Sequence, residues 1–248
     1  MSSPERVAGT SPVALAASMP DPTEPIAVLS ARGLAKTYGD LVALEPLDLS
    51  VPEGQRLVVV GHNGSGKTTL LRIAAGLLEP SVGEVSIVGF PAGSIEARAA
   101  ASYLPDNPVL YDDLSVLEHI EYVCRLHEAE DWQSRAVGLL DALALTERAD
   151  DLPSRFSRGL RQKTAILLGL IRPFSLLLID EPFVGLDPPG RSALVDLLDD
   201  ANDSGATVVV ATHQMDFVSR AERCVALRDG AVIFDGPPDD VDVTTLAG

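Results

Sequence analysis

The chain has 248 residues, of which 46% are hydrophobic and 22% charged, a composition that supports a large buried core and excludes disorder as the main state. Its 19 basic against 36 acidic side chains give a net charge of −17, which repels nucleic-acid phosphate and argues against a general DNA or RNA binder. The apolar runs are too short to span a bilayer. The two cysteines, Cys124 and Cys224, have neither metal-ligand spacing nor a disulfide framework, so the protein is expected in the reducing environment of the cytosol.

The predicted elements begin after residues 1–25, which are rich in Pro, Ser and Ala, show no periodicity and are expected to form a disordered tail. Short apolar segments between Gly, Pro and Asp turns then predict a strand-rich opening, at 27–29, 43–51, 57–60 and 84–88. From about residue 94 to 160 the composition shifts to Ala, Leu, Glu and Arg with helical spacing, which predicts an inserted helical subdomain.

The last third of the chain returns to a sheet. Two continuous apolar runs, at 176–179 and 207–211, enclose a helical stretch around 191–200, which is the pattern of buried parallel strands joined by a helical crossover. The folded domain is expected to span 26–240, and residues 241–248 are assigned to a C-terminal tail.

A phosphate-binding loop is the sharpest motif in the chain. It lies between the strand at 57–60 and a helical run at 69–78, and it matches the pattern G-x-x-x-x-G-K-[ST] through Gly61, His62, Asn63, Gly64, Ser65, Gly66, Lys67 and Thr68, with Thr69 next to it. Glycines without a Cβ let backbone N–H groups surround a phosphate at the positive end of the following helix. Lys67 is expected to contact the β- and γ-phosphate oxygens, and the Thr68 hydroxyl to bind Mg²⁺.

Two adjacent carboxylates close the apolar strand at 176–179. Asp180 is expected in the Mg²⁺ shell, whereas Glu181, turned to the other side by strand alternation, is expected to polarise the attacking water as general base. Acids at the end of a buried strand can also be merely solvated, and it is the P-loop that favours the catalytic interpretation.

These motifs, together with a third, resemble the ATP-binding cassette (ABC) ATPases from about residue 26 to 236. The third motif is the segment 156–163, which is similar to the family's signature and is followed by a helical run at 164–171. The resemblance implies contacts with ATP from Ser157, Arg158, Gly159 and Leu160, at a helix N-terminus that can bind phosphate. For this segment alone, an N-capped helix with a basic first turn is the alternative.

Three further positions resemble landmarks of the family. Tyr38 is similar to the aromatic residue that stacks on adenine, although a tyrosine packed on a sheet edge is the alternative. Asp187 resembles the key acid of the loop that crosses to the partner subunit, where a plain turn is the alternative. His213 matches the switch histidine at the γ-phosphate and is assigned to catalysis with Glu181, although a lone histidine after a strand is usually structural.

Two departures from the family pattern are present. Arg158 and Leu160 stand where glycine and glutamine are common, which looks like the exporter-type branch of the family. Asp106 stands where the family has the glutamine of the loop that senses the γ-phosphate and touches the transmembrane partner. An aspartate there can bind Mg²⁺ or contact a permease but cannot donate to water, and Asp before Asn-Pro is also ordinary turn chemistry.

The resemblance implies an α/β fold: a P-loop NTPase core with an antiparallel β-subdomain and an inserted α-helical subdomain. It also implies a head-to-tail homodimer with Mg²⁺ as cofactor, in which each of two ATP molecules lies between Lys67 of one subunit and Ser157 of the other. Whether the natural dimer pairs identical or different chains is left open.

The expected function is ATP hydrolysis that powers transport, with export favoured, through a separate transmembrane permease at the cytoplasmic face of the membrane. The alternative is a soluble ABC-type ATPase that acts on nucleic acid or ribosomes. A DNA-maintenance ATPase of this kind needs a long heptad insert between Lys67 and Asp180, and none is present; a translation-linked one carries two cassettes, and this chain has a single P-loop. The sequence does not name the cargo.

Overall fold

The computed structural model describes residues 27–241, so the tail predicted at 1–25 and all but the first residue of the tail predicted at 241–248 lie outside the described residues. The strands are β1 (Ala27–Tyr38), β2 (Leu41–Pro52), β3 (Arg56–Val60), β4 (Val82–Ile87), β5 (Phe90–Pro91), β6 (Ala101–Leu104), β7 (Leu176–Asp180), β8 (Thr207–Thr212), β9 (Arg223–Arg228) and β10 (Ala231–Gly236). The helices are α1 (Lys67–Ala74), α2 (Ile95–Ala100), α3 (Val116–Leu126), α4 (Trp132–Ala142), α5 (Arg158–Leu170), α6 (Pro188–Asp203) and α7 (Met215–Val218).

A four-stranded antiparallel sheet is built from the strand-rich opening, in the order β2-β1-β4-β5. The tip of the β1–β2 hairpin pairs Tyr38 with Leu41 across Gly39 and Asp40. One face of this sheet is buried, with Leu34, Leu44 and others packed against α1 and the second sheet. The antiparallel subdomain expected from the sequence is therefore confirmed.

The central sheet has six strands in the order β10-β9-β3-β8-β7-β6, and all neighbours except β10 and β9 are parallel. Every residue of β3, β7 and β8 is buried, which is why these strands read as continuous apolar runs in the sequence. Because parallel strands end at the same edge of a sheet, the residues that follow β3, β7 and β8 meet there. This edge positions the candidate site.

The helical region differs from the prediction at its first boundary. Strand β6 lies inside the predicted helical segment 94–160, yet it is the edge strand of the central sheet and pairs with β7. Only four residues long and directly preceded by α2, β6 gives no periodic signal, and its pairing with β7 is non-local. Helix α5 ends at Leu170 and contains most of the helical run predicted at 164–171, and α3, α4 and α5 share one apolar core.

Two crossover helices also have other bounds than those predicted. Helix α1 begins at Lys67 and ends at Ala74 rather than continuing to residue 78. Gly76 follows it with a φ of 69°, and a Cβ there would lie 2.2 Å from the backbone nitrogen of Gly93, so this chain reversal packs directly on another segment. Helix α6 is longer than the predicted 191–200, because Asp187 caps its N-terminus and two prolines open its first turn.

No helix within residues 27–241 has both the length and the apolar composition needed to span a bilayer. Cys124 and Cys224 are buried thiols that form no disulfide in the described part of the chain.

Candidate nucleotide-binding and hydrolysis site

The P-loop turns between β3 and α1 under backbone segments from both sheets. Gly61 has a φ of 153°, and a Cβ there would lie 2.3 Å from the carbonyl oxygen of Leu227 in β9. Gly66 has a φ of 107°, and its Cβ would lie 2.8 Å from the carbonyl oxygen of Ala43 in β2. The Gly230 N–H, in the β9–β10 turn, donates to the Ser65 carbonyl over 3.1 Å. Glycine is therefore required here by close backbone contacts as well as by φ.

Lys67 lies at the start of α1 with its ammonium group buried inside this loop. Its Nζ donates to the carbonyl oxygens of Gly61 at 2.7 Å and His62 at 3.2 Å, and it lies 3.5 Å from Oε1 of Glu181. A buried ammonium surrounded by loop backbone is a ready partner for phosphate oxygens. His62 and Asn63 form the outer turn of the loop, with His62 Nδ1 2.8 Å from the Asn63 carbonyl oxygen.

Asp180 is the last residue of β7 and is only 1% exposed, yet neither of its carboxylate oxygens has a hydrogen-bond partner among residues 27–241. Burial raises the pKa of Asp180; the Thr68 hydroxyl opposes this shift, the negative charges of Glu181 and Asp106 add to it, and Lys67 opposes it. An orphaned buried carboxylate beside a P-loop hydroxyl is the donor set that Mg²⁺ takes together with phosphate oxygens. The residues present thus fit this cation.

Glu181 is directed into the site by a left-handed backbone conformation, with a φ of 48°. Its N–H still donates to the Ala211 carbonyl oxygen at 2.8 Å, as a strand residue would. The left-handed backbone nevertheless takes its side chain out of the alternation of the strand, and this conformation costs about 1–3 kcal/mol of strain. Strand alternation, from which the sequence predicted opposite sides for Asp180 and Glu181, does not apply to this pair, because β7 ends at Asp180 and Glu181 has a left-handed backbone. A strained residue at this point is typical of a functional site.

His213 follows β8 and meets Glu181 across the edge of the sheet. Its Nδ1 lies 2.8 Å from Glu181 Oε2, and its backbone N–H donates to the same oxygen over 3.4 Å. An ionised carboxylate only accepts, so we assign the proton of this contact to Nδ1. His213 therefore orients the carboxylate, and its side chain is about half-exposed.

The signature segment opens α5, where Ser157 is the N-cap and its Oγ accepts from the Leu160 N–H over 3.3 Å. This geometry is compatible with both predicted roles of Ser157, as the cap of the helix and as a ligand of phosphate. Gly159 packs on the loop after β7, since a Cβ there would lie 2.6 Å from the carbonyl oxygen of Gly185. This contact between the signature and the following loop leaves no trace in the local sequence pattern.

Asp187 caps α6 by accepting from the Gly190 N–H, and its Oδ1 lies 3.1 Å from Nζ of Lys163 in α5. This contact with Lys163 is the main reason that the pKa of Asp187 is lowered. No local sequence pattern predicts a role for Lys163, because its partner lies 24 residues further along the chain. Lys163 and Asp187 join the signature helix to the loop that precedes α6.

Tyr38 is exposed at the tip of the β1–β2 hairpin, and Nζ of Lys36 lies 5.0 Å from the centre of its ring. The same hairpin contributes Ala43 and Leu44, which contact Gly66 of the P-loop. The ring of Tyr38 therefore lies on the same strand pair that packs against the P-loop.

Thr69, one residue into α1 beyond Thr68, is half-buried.

Asp106 lies in the loop after β6. Its Oδ1 is 3.6 Å from Nη2 of Arg158 in the signature, and its Oδ2 accepts from the Asn107 amide over 2.9 Å. Asp106 and Arg158, two of the three positions at which the sequence departs from the family pattern, are thus neighbours in space.

Comparison with known proteins identifies the family to which this chain belongs. The family model described as "ABC transporter" matches residues 44–184, which include the P-loop, the signature and the carboxylate pair. The chain belongs to the ABC transporter family. It is an ATP-binding and ATP-hydrolysing subunit of the kind that works with a membrane permease.

Two relatives of this ATPase subunit illustrate the range of the family. It is 33% identical to the SkfA peptide export ATP-binding protein SkfE of Bacillus subtilis, over 84% of this chain and 88% of that protein. It is 36% identical to the aliphatic sulfonates import ATP-binding protein SsuB of Pseudomonas entomophila, over 84% of this chain and 75% of that protein. Export and import proteins are therefore both similar to it at this level.

Solved structures agree with the fold. An ATP-binding subunit of an ABC transporter superimposes with a TM-score of 0.82 at 31% identity, over 86% of this chain and 91% of that one. A dimeric ATP-binding cassette in a post-hydrolysis state, bound to ADP and Pi, superimposes with a TM-score of 0.78 at 28% identity, over 85% of this chain and 98% of that one.

Proposed function

We propose that this ATPase hydrolyses Mg²⁺-bound ATP as a head-to-tail homodimer at the cytoplasmic face of the membrane, and that it powers export through a separate permease. The observation that carries the hydrolytic part is the meeting of Lys67, Asp180, Glu181 and His213 at one edge of the central sheet. Export is favoured over import by Arg158 and Leu160 in the signature.

Each residue has a separate part in this reaction. The P-loop backbone and Lys67 bind the phosphates, while the exposed ring of Tyr38 stacks on adenine. Asp180 and Thr68 would hold Mg²⁺, which would neutralise negative charge on the phosphate oxygens. Glu181 accepts a proton from the attacking water, and His213 holds that carboxylate in place.

The exposed signature supports the dimer. Ser157 and the N-terminus of α5 face solvent, and the positive end of that helix can bind the γ-phosphate of an ATP molecule held by a second subunit. Asp187, on the loop against which the signature packs, is expected to cross to the same partner. The dimeric form of a similar cassette supports this arrangement as well.

A sedimentation experiment tests the dimer. With Mg²⁺ and ATP, the Glu181→Gln variant is expected to shift from monomer to dimer, because bound ATP connects Lys67 of one subunit to Ser157 of the other while hydrolysis is blocked. Adding Ser157→Arg should abolish the shift, and the control Ser134→Arg, on the exposed surface of α4, should not. A dimer fraction indifferent to ATP, or unchanged by Ser157→Arg, would count against the head-to-tail arrangement.

An exposed apolar surface on the helical region supports contact with a permease. It combines the loop residues Val109 and Tyr111 with Tyr122 and Leu126 of α3, and a groove of about 400 Å³ lies beside the last two. Tyr111 is held in place because its N–H donates to Nε2 of the buried His119 over 2.9 Å. Exposed apolar side chains clustered in this way mark an interaction surface.

Association with native membranes tests this surface. Leu126→Asp is expected to lower the fraction of the protein that co-sediments with permease-containing membranes at least about tenfold, because a charge replaces buried apolar contact. The matched control is Val137→Asp, which places the same charge at an exposed apolar position of α4. Equal co-sedimentation of Leu126→Asp and wild type would place the permease contact elsewhere.

A further inference from the structure

An ion pair joins the loop after β6 to the signature segment. Oδ1 of Asp106 lies 3.6 Å from Nη2 of Arg158, with side-chain exposures of 34% and 62%. An exposed pair of this kind is weak and easily broken, so it contributes little to folding stability. The ion pair does, however, connect two segments that are far apart in the chain, the loop after β6 and the signature.

A second pair joins the same two segments one helical turn further on. Nη2 of Arg161 lies 3.4 Å from Oδ1 of Asp112, which belongs to the same loop as Asp106. Arg158 and Arg161 are three residues apart and therefore share one face of α5. The N-terminal part of the signature helix thus presents two cations to two acids of one loop.

Arg158 also lies against the loop that follows the carboxylate pair of the hydrolysis site. The aliphatic part of Arg158 packs close to Gly185, where a Cβ would lie 3.2 Å from Arg158 Cγ, so Arg158 touches the loop that leads to Asp187. The pair therefore connects the loop after β6 to the signature and, through Arg158, to the loop that leads to Asp187.

We propose that Asp106 and Arg158 form a positioning pair, which ties the loop after β6 to the signature so that both move together when ATP closes the dimer. This inference rests on the proposed head-to-tail dimer. The pair replaces the uncharged residues that are common at these two positions, so that each charge is matched by the other and reversing one of them turns attraction into repulsion.

A charge swap tests the pair. In the Glu181→Gln background at low ionic strength, Asp106→Arg and Arg158→Asp are each expected to raise the Mg²⁺-ATP concentration for half-maximal dimerisation about three- to tenfold. The double variant, which restores opposite charges, is expected to return to within about twofold of the parent. The matched control is the exposed pair of Arg148 and Asp151, for which single reversals and the swap should all stay within about twofold.

Hydrogen exchange of the backbone amides at 105–112 provides a second readout that needs neither ATP nor a dimer. The single reversals are expected to speed exchange there about two- to fivefold, and the swap to restore it. If the swap is as impaired as Arg158→Asp alone in both measurements, Arg158 acts through something other than Asp106 and the proposal is wrong. Single reversals without effect on exchange overturn it equally.

The two measurements also separate this inference from the proposed function. If the Glu181→Gln parent does not dimerise with Mg²⁺ and ATP, the head-to-tail dimer has failed, and exchange alone decides whether the two segments are tied together. If the parent dimerises and the swap rescues exchange but not dimerisation, the segments are tied but do not move together on closure, and the proposal is overturned.

Discussion

Glu181→Gln is expected to lower ATP turnover by about 10²–10⁴, while ATP binding is retained. The amide has the shape of the carboxylate, and its oxygen can still accept the hydrogen bond from His213 Nδ1, which lies 2.8 Å from Oε2 of Glu181 in the wild type. The amide cannot, however, take a proton from water. Phosphate release measures turnover, and equilibrium binding of a fluorescent ATP analogue measures affinity.

Two variants control for this result. Glu84→Gln removes a highly exposed carboxylate of β4 whose charged neighbour is Arg32, and it should leave turnover unchanged. Lys67→Ala should lose both ATP binding and turnover, because it removes the buried ammonium of the P-loop. Wild-type turnover in Glu181→Gln alongside a loss in Lys67→Ala would show that Glu181 is not the general base.

Gly61→Ala is expected to lower the free energy of unfolding by at least about 1–3 kcal/mol and ATP affinity by about 10–100-fold. A Cβ at this position would lie 2.3 Å from the Leu227 carbonyl oxygen and 2.5 Å from Oγ of Ser65. The first of these neighbours is backbone of the central sheet, so it is the P-loop that must shift, and its phosphate-binding N–H groups shift with it. Denaturant unfolding and ATP titration measure the two effects.

The control for Gly61→Ala is the same substitution at Gly138, an exposed glycine inside α4 where a Cβ would meet nothing within 4 Å. Gly138→Ala is expected to raise the free energy of unfolding by up to about 1 kcal/mol, because alanine is the better helix former, and to leave ATP affinity unchanged. Equal effects of the two substitutions would contradict the crowding argument at the P-loop.

The sequence alone was enough for the parts of the protein whose signal is local. The P-loop is contiguous, and its glycines, Lys67 and Thr68 stand at a spacing that backbone chemistry requires. Strands β3, β7 and β8 are buried on both faces, so each is a continuous apolar run. The signature and His213 were recognised by their order along the chain, and the family was confirmed through the match over residues 44–184.

Only the tertiary structure decided the features that depend on contacts between distant residues. Strand β6 is defined by its pairing with β7, more than 70 residues away, and has too few residues to show a period. The direction of Glu181 follows from a single left-handed residue rather than from strand alternation. The pairs of Asp106 with Arg158 and of Lys163 with Asp187 join segments that no local pattern connects. Periodicity and motif spacing report the environment of consecutive residues, whereas these contacts arise when the packed sheets and helices bring separate segments together.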